Sequence, residues 1–276
     1  MNMMRKHLKP PGFLLAIILS LALATFFVKL NITKNDTAKD DATKNDTVTK
    51  VSLDHGINLN KPIIDISGWQ LPSEMDYDTL SQQINGVIVR VQHGISMKKK
   101  NNAADQNGKD KAMDTHIQEF QKRNVPVAVY AFVNGTSDAE MRQEAKKFYE
   151  RAEKYKPTYW WLDVEEVTMK QNFNQGIEAF RDELAKLGAK NIGIYTQDWF
   201  VTANQLDVTP FSSVWLAHYG GNTGYWDASP NTTIPYDLHQ YTDKGRLNGF
   251  NGSLDFNRVA NIEDYNKLFN HGQLVK

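Results

Sequence analysis

Short apolar runs alternate with amphipathic stretches from residue 61 onward, and this pattern predicts strands that are separated by helices. Apolar runs of this kind, bounded by polar and turn-forming residues, are typical of buried strands. We predict strands at 62–67, 86–92, 126–132, 158–164, 191–196, 213–219, 236–241 and 253–256. Helical periodicity occurs at 111–123, 138–154 and 172–187. Ser137-Asp138-Ala139-Glu140 is typical of a helix start and Gly188 of a helix end.

The order of these elements favours an α/β fold, an irregular TIM-like (β/α) barrel with eight strands. The last third of the chain leaves little room between its strands, so we expect fewer helices there. A doubly wound open sheet is the alternative architecture. It is less favoured because no glycine-rich phosphate loop follows the first predicted strand.

Residues 1–30 combine a basic flank at 5–9 with an apolar run at 11–28. A run of about 17–20 apolar residues can cross a bilayer as a helix, with the positive flank on the cytoplasmic side. The alternative is a cleaved signal peptide with Ala22-Leu23-Ala24 as its small-residue site. Because apolar residues 26–28 continue past that site, we expect a single-pass membrane anchor with an extracytoplasmic catalytic domain. If the segment is cleaved, the protein is secreted.

Residues 31–60 are polar and contain a short repeat. Thr33-Lys34-Asn35-Asp36-Thr37 recurs as Thr43-Lys44-Asn45-Asp46-Thr47. A segment with so few large apolar residues cannot bury enough surface to fold. We therefore predict a disordered stalk at 31–60 and a barrel domain at 61–276.

Composition removes several classes of function. The 32 basic and 32 acidic residues balance, so no basic excess points to nucleic acid. Cysteine is absent, which removes disulfides, thiolate metal sites and a cysteine nucleophile. His93, His218 and His239 lack a metal-binding spacing, and Ser67 lacks the Gly-x-Ser-x-Gly context of a serine hydrolase. We expect neither a metal nor an organic cofactor.

Four acidic residues lie at strand ends. Asp163 and Glu165 are two apart, so their side chains point to the same face. Asp65 ends the first predicted strand, and Asp255 lies on the last, which is its neighbour in a closed barrel. Barrel active sites form at the carboxyl ends of the strands, where all four would converge. Crowded carboxyls raise one another's pKa, which suits a glycosidic cleavage that needs one protonated and one ionised carboxyl.

The alternation of side chains adds candidates for sugar binding. If Asp163 faces inward, then Trp161 does too, and Tyr130, Tyr195, Arg90 and Gln240 are candidates at the rim by the same rule. Each residue also has a structural interpretation. A single Asp at a strand end is more often a cap or turn former, and a tryptophan pair is more often core. Glu166 faces away from Glu165 and is expected only to form salt bridges.

These segments resemble glycoside hydrolase family 25, the lysozymes (N-acetylmuramidases) of bacteria and their phages. The resemblance covers about 62–269. Its motifs in chain order are Ile64-Asp65-Ile66-Ser67 with Gln70, Val87-Ile88-Val89-Arg90, Val127-Ala128-Val129-Tyr130-Ala131-Phe132, Leu162-Asp163-Val164-Glu165, Ile194-Tyr195-Thr196, Val214-Trp215-Leu216-Ala217, Gln240-Tyr241-Thr242 and Gly249-Phe250-Asn251-Gly252-Ser253-Leu254-Asp255-Phe256-Asn257.

The resemblance implies an irregular barrel that cleaves the β-1,4 bond between N-acetylmuramic acid and N-acetylglucosamine in peptidoglycan glycan strands. It implies Glu165 as general acid/base and Asp163 as its partner, with Asp65 and Asp255 tuning the pair. Trp215 joins the predicted substrate-binding residues. The nucleophile, an enzyme carboxylate or the substrate's acetamido group, is left open, and we expect a monomer.

The chain departs from the family pattern in three places. Val91-Gln92-His93-Gly94 follows Arg90 where Ala-x-x-Gly is common, and His239 stands where Trp is common. Residues 96–111 replace the usual loop, and we expect either a mobile lid or a surface excursion. Two other functions stay open: hydrolysis of another N-acetylated glycan, and a non-catalytic module that binds cell-wall glycan.

Overall fold

The computed structural model describes residues 57–95 and 101–270. The predicted anchor at 1–30 and the predicted stalk as far as residue 56 lie outside the described residues. In the part of the chain that is described, no helix is both long and apolar enough to cross a membrane.

Eight strands close into a barrel in chain order, which confirms the predicted fold class. Strands β1 to β7 run parallel to one another, whereas β8 is antiparallel to both of its neighbours, β7 and β1. The strands are β1 Ile63–Ile66, β2 Gly86–His93, β3 Val127–Phe132, β4 Trp160–Asp163, β5 Ile192–Gln197, β6 Ser213–Ala217, β7 Leu238–Gly245 and β8 Leu254–Arg258.

Helices occupy most of the connections in the first two thirds of the domain. The three predicted helices are present, and three short helices were not predicted. Within residues 57–95 and 101–270 the six helices are α1 Tyr77–Ser81, α2 Met113–Lys122, α3 Asp138–Ala152, α4 Phe173–Leu187, α5 Asp198–Asn204 and α6 Ile262–Phe269, with 3-10 turns at Pro72–Glu74 and Glu153–Tyr155. No helix lies between β6 and β8, a stretch whose residues are all described, so the expected scarcity of helices is confirmed there.

Helix α3 begins and α4 ends where the sequence predicts. The Ser137 side chain accepts a hydrogen bond from the Glu140 amide, satisfying one of the free N–H groups of the first turn. Gly188 has φ 116°, a left-handed conformation that glycine adopts without a side-chain clash. These two ends fix a pair of helices that pack on each other, with α3 against the outside of β2 and Trp160 of β4, and α4 against β5.

Side-chain alternation along the strands separates two buried layers. Outward residues such as Val89 and Leu162 pack beneath the helices. Inward residues such as Ile88, Trp161 and Trp215 fill the barrel itself. The predicted inward orientation of Trp161 is therefore confirmed, and the filled barrel supports the site at its rim.

The reversed direction of β8 changes how Asp255 reaches that rim. The sequence interpretation placed all four acids at the carboxyl ends of strands. Asp255 is instead the second residue of β8, and the antiparallel register sets it directly opposite Asp65 on β1. Because the strand is reversed, its amino end lies at the rim where the parallel strands end.

The described part of the unusual 96–111 loop is docked onto the barrel. Gln92 forms a bridge with Lys109, and Ala104 forms one with Asp110. Ala103, Ala104 and Asp110 are fully buried. Residues 102, 105–107 and 111 remain exposed, so the described part of the segment is a surface loop that buried residues and backbone pairing anchor to β2.

Candidate active site

The four predicted acids come together at one rim of the barrel. Asp163 is the last residue of β4, and Glu165 follows two positions later with part of its side chain exposed. Asp65 and Asp163 are buried, with 4% and 7% of their surfaces exposed. The charge of Glu165 raises the pKa of Asp65, Asp163 and Asp255, so all four belong to one electrostatic cluster. Glu166 is exposed, as its parity predicts.

Asp65 and Asp255 form a hydrogen-bonded carboxyl pair. Asp65 Oδ2 also accepts hydrogen bonds from Asn257 Nδ2 at 2.7 Å and Gln240 Nε2 at 2.8 Å. Burial raises the pKa of Asp65 to about 6, although these donors partly oppose the rise. Burial, followed by the charge of Asp65, raises the pKa of Asp255 to about 9. The pair therefore holds one proton at neutral pH, carried on Asp255, whose O–H donates to Asp65.

Asp163 is the more deeply buried acid of the pair at the end of β4, Asp163 and Glu165. Burial raises its pKa well above the ordinary range, and the charges of Glu165 and Asp65 raise it further, while Arg90 opposes them. Its Oδ1 is buried and has no hydrogen-bond partner among the described residues. A buried acceptor without a partner is costly, so this oxygen is available to an N–H of a bound ligand.

Glu165 is the partly exposed acid of the β4 pair, whereas Asp163 is buried. Burial raises the pKa of Glu165, whereas the nearby polar side chains of Tyr195 and Gln197 lower it. A carboxyl with a moderately raised pKa that remains accessible meets the requirements of a proton donor to a substrate oxygen. The neighbouring exposed Glu166 also raises the pKa of Glu165 through its charge.

Gln240 connects three of the site's side chains. Its Oε1 accepts from the Tyr195 hydroxyl at 2.8 Å and from the Tyr219 hydroxyl at 2.6 Å. Its Nε2 donates to Asp65, which fixes the orientation of the amide. Tyr219 was not among the predicted site residues, although it ends the predicted strand at 213–219 and has the same parity as Trp215, so strand alternation could have found it.

Arg90 lies beneath Asp163 and is held by an acid that the sequence interpretation also missed. Its Nε donates to Asp110 Oδ2 at 2.9 Å, and both side chains are buried. The same oxygen accepts from the Gly68 amide at 2.8 Å, and Asp110 Oδ1 accepts from the Ala112 amide at 2.9 Å. Asp110 thus ties β2, the loop after β1 and the start of α2 together. Asp110 was not predicted from the sequence because the loop that surrounds it is polar throughout.

Two of the predicted substrate-binding residues are core residues in this structure. Trp161 and Trp215 are 0% and 1% exposed, so they present no surface to a ligand. Trp215 Nε1 donates to Asn257 Oδ1 at 2.7 Å, and its ring packs on Tyr195 with centroids 4.4 Å apart. Tyr130, which stays partly exposed, packs edge-on against the same indole at 6.3 Å. The two tryptophans therefore support Tyr130 and Tyr195 from below.

No group of three or more His, Cys, Asp or Glu within 57–95 and 101–270 is arranged to hold a metal ion. The predicted absence of a cofactor stays a prediction.

A family model, that of glycosyl hydrolases family 25, matches residues 64–250. The chain belongs to glycosyl hydrolase family 25. The resemblance noted from its motifs is thus confirmed, and the chain is a glycoside hydrolase.

Solved structures of this family have the same fold. One of them is the virulence factor GHIP of Streptococcus pneumoniae, a glycosyl hydrolase 25 that participates in host cell invasion. Its sequence is 52% identical to this chain and its structure superposes with a TM-score of 0.74; the match covers 76% of this chain and 93% of GHIP. The catalytic domain of an endolysin from a Listeria monocytogenes bacteriophage is 26% identical with a TM-score of 0.64, over 75% and 96% of the two chains. The bacterial lysozyme of Streptomyces coelicolor, at 16% identity and a TM-score of 0.58 over 76% and 97%, shares the fold. A search of curated proteins found no match.

Proposed function

We propose that this glycoside hydrolase is a lysozyme-like muramidase that cleaves the β-1,4 bond between N-acetylmuramic acid and N-acetylglucosamine in peptidoglycan. The observation that carries the proposal is the four-carboxyl cluster at the rim, in a chain of family 25. Glycosidic cleavage by a carboxyl pair needs one acid that can donate a proton and one that can interact with developing positive charge. Glu165 and Asp163 supply that combination.

Glu165 acts as the general acid and then as the general base. Its carboxyl proton passes to the glycosidic oxygen as the bond to the leaving sugar breaks, which leaves Glu165 ionised. Glu165 then takes a proton from the water that completes hydrolysis, and its carboxyl is restored. Its raised pKa and partial exposure support this role.

Asp163 acts beside it by orienting the acetamido group of the substrate. Its unpartnered, buried Oδ1 can accept the acetamido N–H, which would place the acetamido oxygen against the anomeric carbon. The alternative role, direct stabilisation of positive charge at that carbon, uses the ionised form of Asp163, which the nearby Arg90 favours. The Asp65–Asp255 pair holds one negative charge behind both acids.

The competing proposal within the same enzyme class is hydrolysis of another N-acetylated glycan. Full-length protein should be incubated with peptidoglycan and, separately, with chitin, and the new reducing ends identified by mass spectrometry. N-acetylmuramic acid ends support the muramidase. Their absence, together with robust cleavage of chitin, would refute it.

The acid assignment has a matched control in the adjacent residue. Glu165→Gln should remove nearly all turnover on peptidoglycan while leaving the fold and glycan binding intact, because glutamine cannot donate a proton to the leaving oxygen. Glu166→Gln makes the same chemical change one position away, on an exposed side chain, and should keep wild-type turnover. Turnover by Glu165→Gln at the wild-type rate would show that another group is the acid.

We also propose that the catalytic domain acts outside the cytoplasmic membrane, tethered by residues 1–30 through the 31–60 stalk and acting locally in remodelling of the cell wall. The support is the basic flank followed by the long apolar run. Sequencing of the mature amino terminus tests the tether. A mature chain that begins near Thr25 would show cleavage and a secreted enzyme instead.

A further inference from the structure

A large aromatic side chain stands exposed beside the proton donor. Trp199 is the second residue of α5, two positions after the end of β5, and 60% of its surface is exposed. Single exposed aromatic residues are common on protein surfaces, so exposure alone does not indicate a function. The way in which this indole is held distinguishes it.

Three contacts fix Trp199 in place. Its indole Nε1–H donates to Gln197 Oε1, and its backbone amide donates to Asp198 Oδ1 at 2.7 Å. The ring also packs edge-on against Phe200, with centroids 5.8 Å apart. Asp198 is itself held by His218 Nδ1 at 2.8 Å, and only 12% of its side chain is exposed. An exposed ring that is already ordered loses little conformational entropy when a ligand covers it.

Gln197 links this ring to the catalytic cluster. Its Oε1 accepts from the Trp199 indole, and Gln197 ends β5, the strand beside β4. The Val164 amide donates to the Tyr195 carbonyl at 2.9 Å, which sets Glu165 beside the end of β5. The Gln197 side chain lowers the pKa of Glu165. One amide side chain therefore separates the indole from the proton donor. Glu165 and Trp199 therefore lie at the same rim of the barrel, and a glycan that extends from a bond at Glu165 past the end of β5 can cover the exposed ring.

We propose that Trp199 is a stacking platform for the apolar face of a pyranose ring that lies beyond the two sugars joined at the cleaved bond. This inference rests on the proposed function and deepens it, because the site then requires a glycan that extends beyond the two sugars joined at that bond. Sugar rings carry C–H groups on one face, and aromatic rings are the side chains that bury such faces most effectively. Gln197 positions the platform relative to the acid.

The other exposed aromatic residues in the second half of the barrel lack this combination. The ring of Trp226 is covered by the Arg258 guanidinium, 4.1 Å from its centroid. Tyr225 is 79% exposed and lies in the loop between β6 and β7. Tyr225 therefore provides a matched control, an exposed aromatic residue whose removal should leave glycan binding unchanged.

The test compares Trp199→Ala, Trp199→Tyr and Tyr225→Ala on soluble peptidoglycan strands and on the shortest cleavable fragment. For Trp199→Ala we expect KM on long strands to rise on the order of tenfold with little change in kcat, and a smaller rise on the short fragment. Trp199→Tyr should recover most of the loss because it restores a ring, and Tyr225→Ala should match wild type. An unchanged KM, or a loss confined to kcat, would overturn the platform.

A second measurement does not depend on the folding of a variant. In the Glu165→Gln variant, bound glycan should slow the oxidation of Trp199 by N-bromosuccinimide several-fold. Trp226 should be oxidised at an unchanged rate. Peptide mass spectrometry measures both rates. Equal oxidation of Trp199 with and without glycan would overturn the inference. The two proposals fail in different ways: wild-type protein without activity on peptidoglycan refutes the muramidase, whereas normal activity with an unprotected Trp199 refutes only the platform. If the wild-type protein is inactive on peptidoglycan, chitin oligosaccharides replace peptidoglycan as the glycan in the oxidation experiment.

Discussion

The proton held between Asp65 and Asp255 predicts that replacing one acid will stabilise the protein. Asp255→Asn removes the group whose pKa rises from 3.8 in its ordinary state to about 9 in the folded state. Asparagine cannot ionise, and its amide nitrogen can donate to the Asp65 carboxylate in place of the carboxyl proton. The variant should therefore keep the hydrogen bond to Asp65 but no longer bind or release a proton at position 255.

The sign and size follow from proton linkage. Between pH 4 and pH 9 the unfolded Asp255 is ionised and the folded one is protonated, so the stability of the wild type falls as pH rises through this window. Each pH unit costs about 1.4 kcal/mol, which gives up to about 4 kcal/mol at pH 7 from Asp255 alone. Asp255→Asn should therefore increase the free energy of unfolding at pH 7 by up to this amount and change it little at pH 4.

Urea unfolding of wild type and Asp255→Asn at pH 4, 5.5 and 7, monitored by tryptophan fluorescence, measures the difference in the free energy of unfolding. The informative quantity is the pH dependence of the stabilisation, because packing changes caused by the substitution are the same at every pH. A variant that is equally destabilised at all three values would refute the shared proton. The stabilised variant is also expected to be less active, since it lacks an acid that tunes the catalytic pair.

Further predictions concern the residues around Glu165 and Arg90. Gln197→Leu removes a polar side chain that lowers the pKa of Glu165, so this pKa should rise and the alkaline limb of kcat/KM should move to higher pH; a limb that stays in place would contradict the influence of Gln197. Asp110→Asn leaves the buried Arg90 without its partner and should destabilise the fold by about 3–5 kcal/mol in urea unfolding. The control is Asp182→Asn, which breaks an exposed pair with Arg181 and should cost less than about 1 kcal/mol; equal losses would contradict the importance of burial.

Most of the architecture could be predicted because long periodic segments determine their own structure. The eight strands, the helices α2, α3 and α4 and the inward orientation of Trp161 all follow from residue spacing. Helices α1, α5 and α6 were missed because five to eight residues show little helical periodicity. Their positions depend on packing against the barrel, which sequence patterns do not reveal.

The acids of the candidate site could be predicted, whereas their surroundings could not. Asp65, Asp163 and Glu165 lie on or just after strands, where parity applies, and Asp255 follows from barrel closure. The reversal of β8 depends on the β7–β8 connection and leaves no distinct trace in the pattern of apolar residues. Asp110 lies in a loop and Trp199 at the start of the short helix α5, where tertiary contacts decide burial or exposure.

Closure of the barrel between β1 and β8 also sets the order in which the enzyme can become active. Asn257 and Asp65, which share a hydrogen bond in the site, are 192 residues apart in the chain. Contacts of such long sequence separation form late, because the entropy of the intervening chain must be lost first. A growing chain that has not yet added β8 lacks Asp255 and Asn257, so Asp65 has neither its proton-sharing partner nor one of its two amide donors. The strand made last therefore completes the catalytic cluster, and hydrolase activity can begin only when synthesis of the domain is essentially finished.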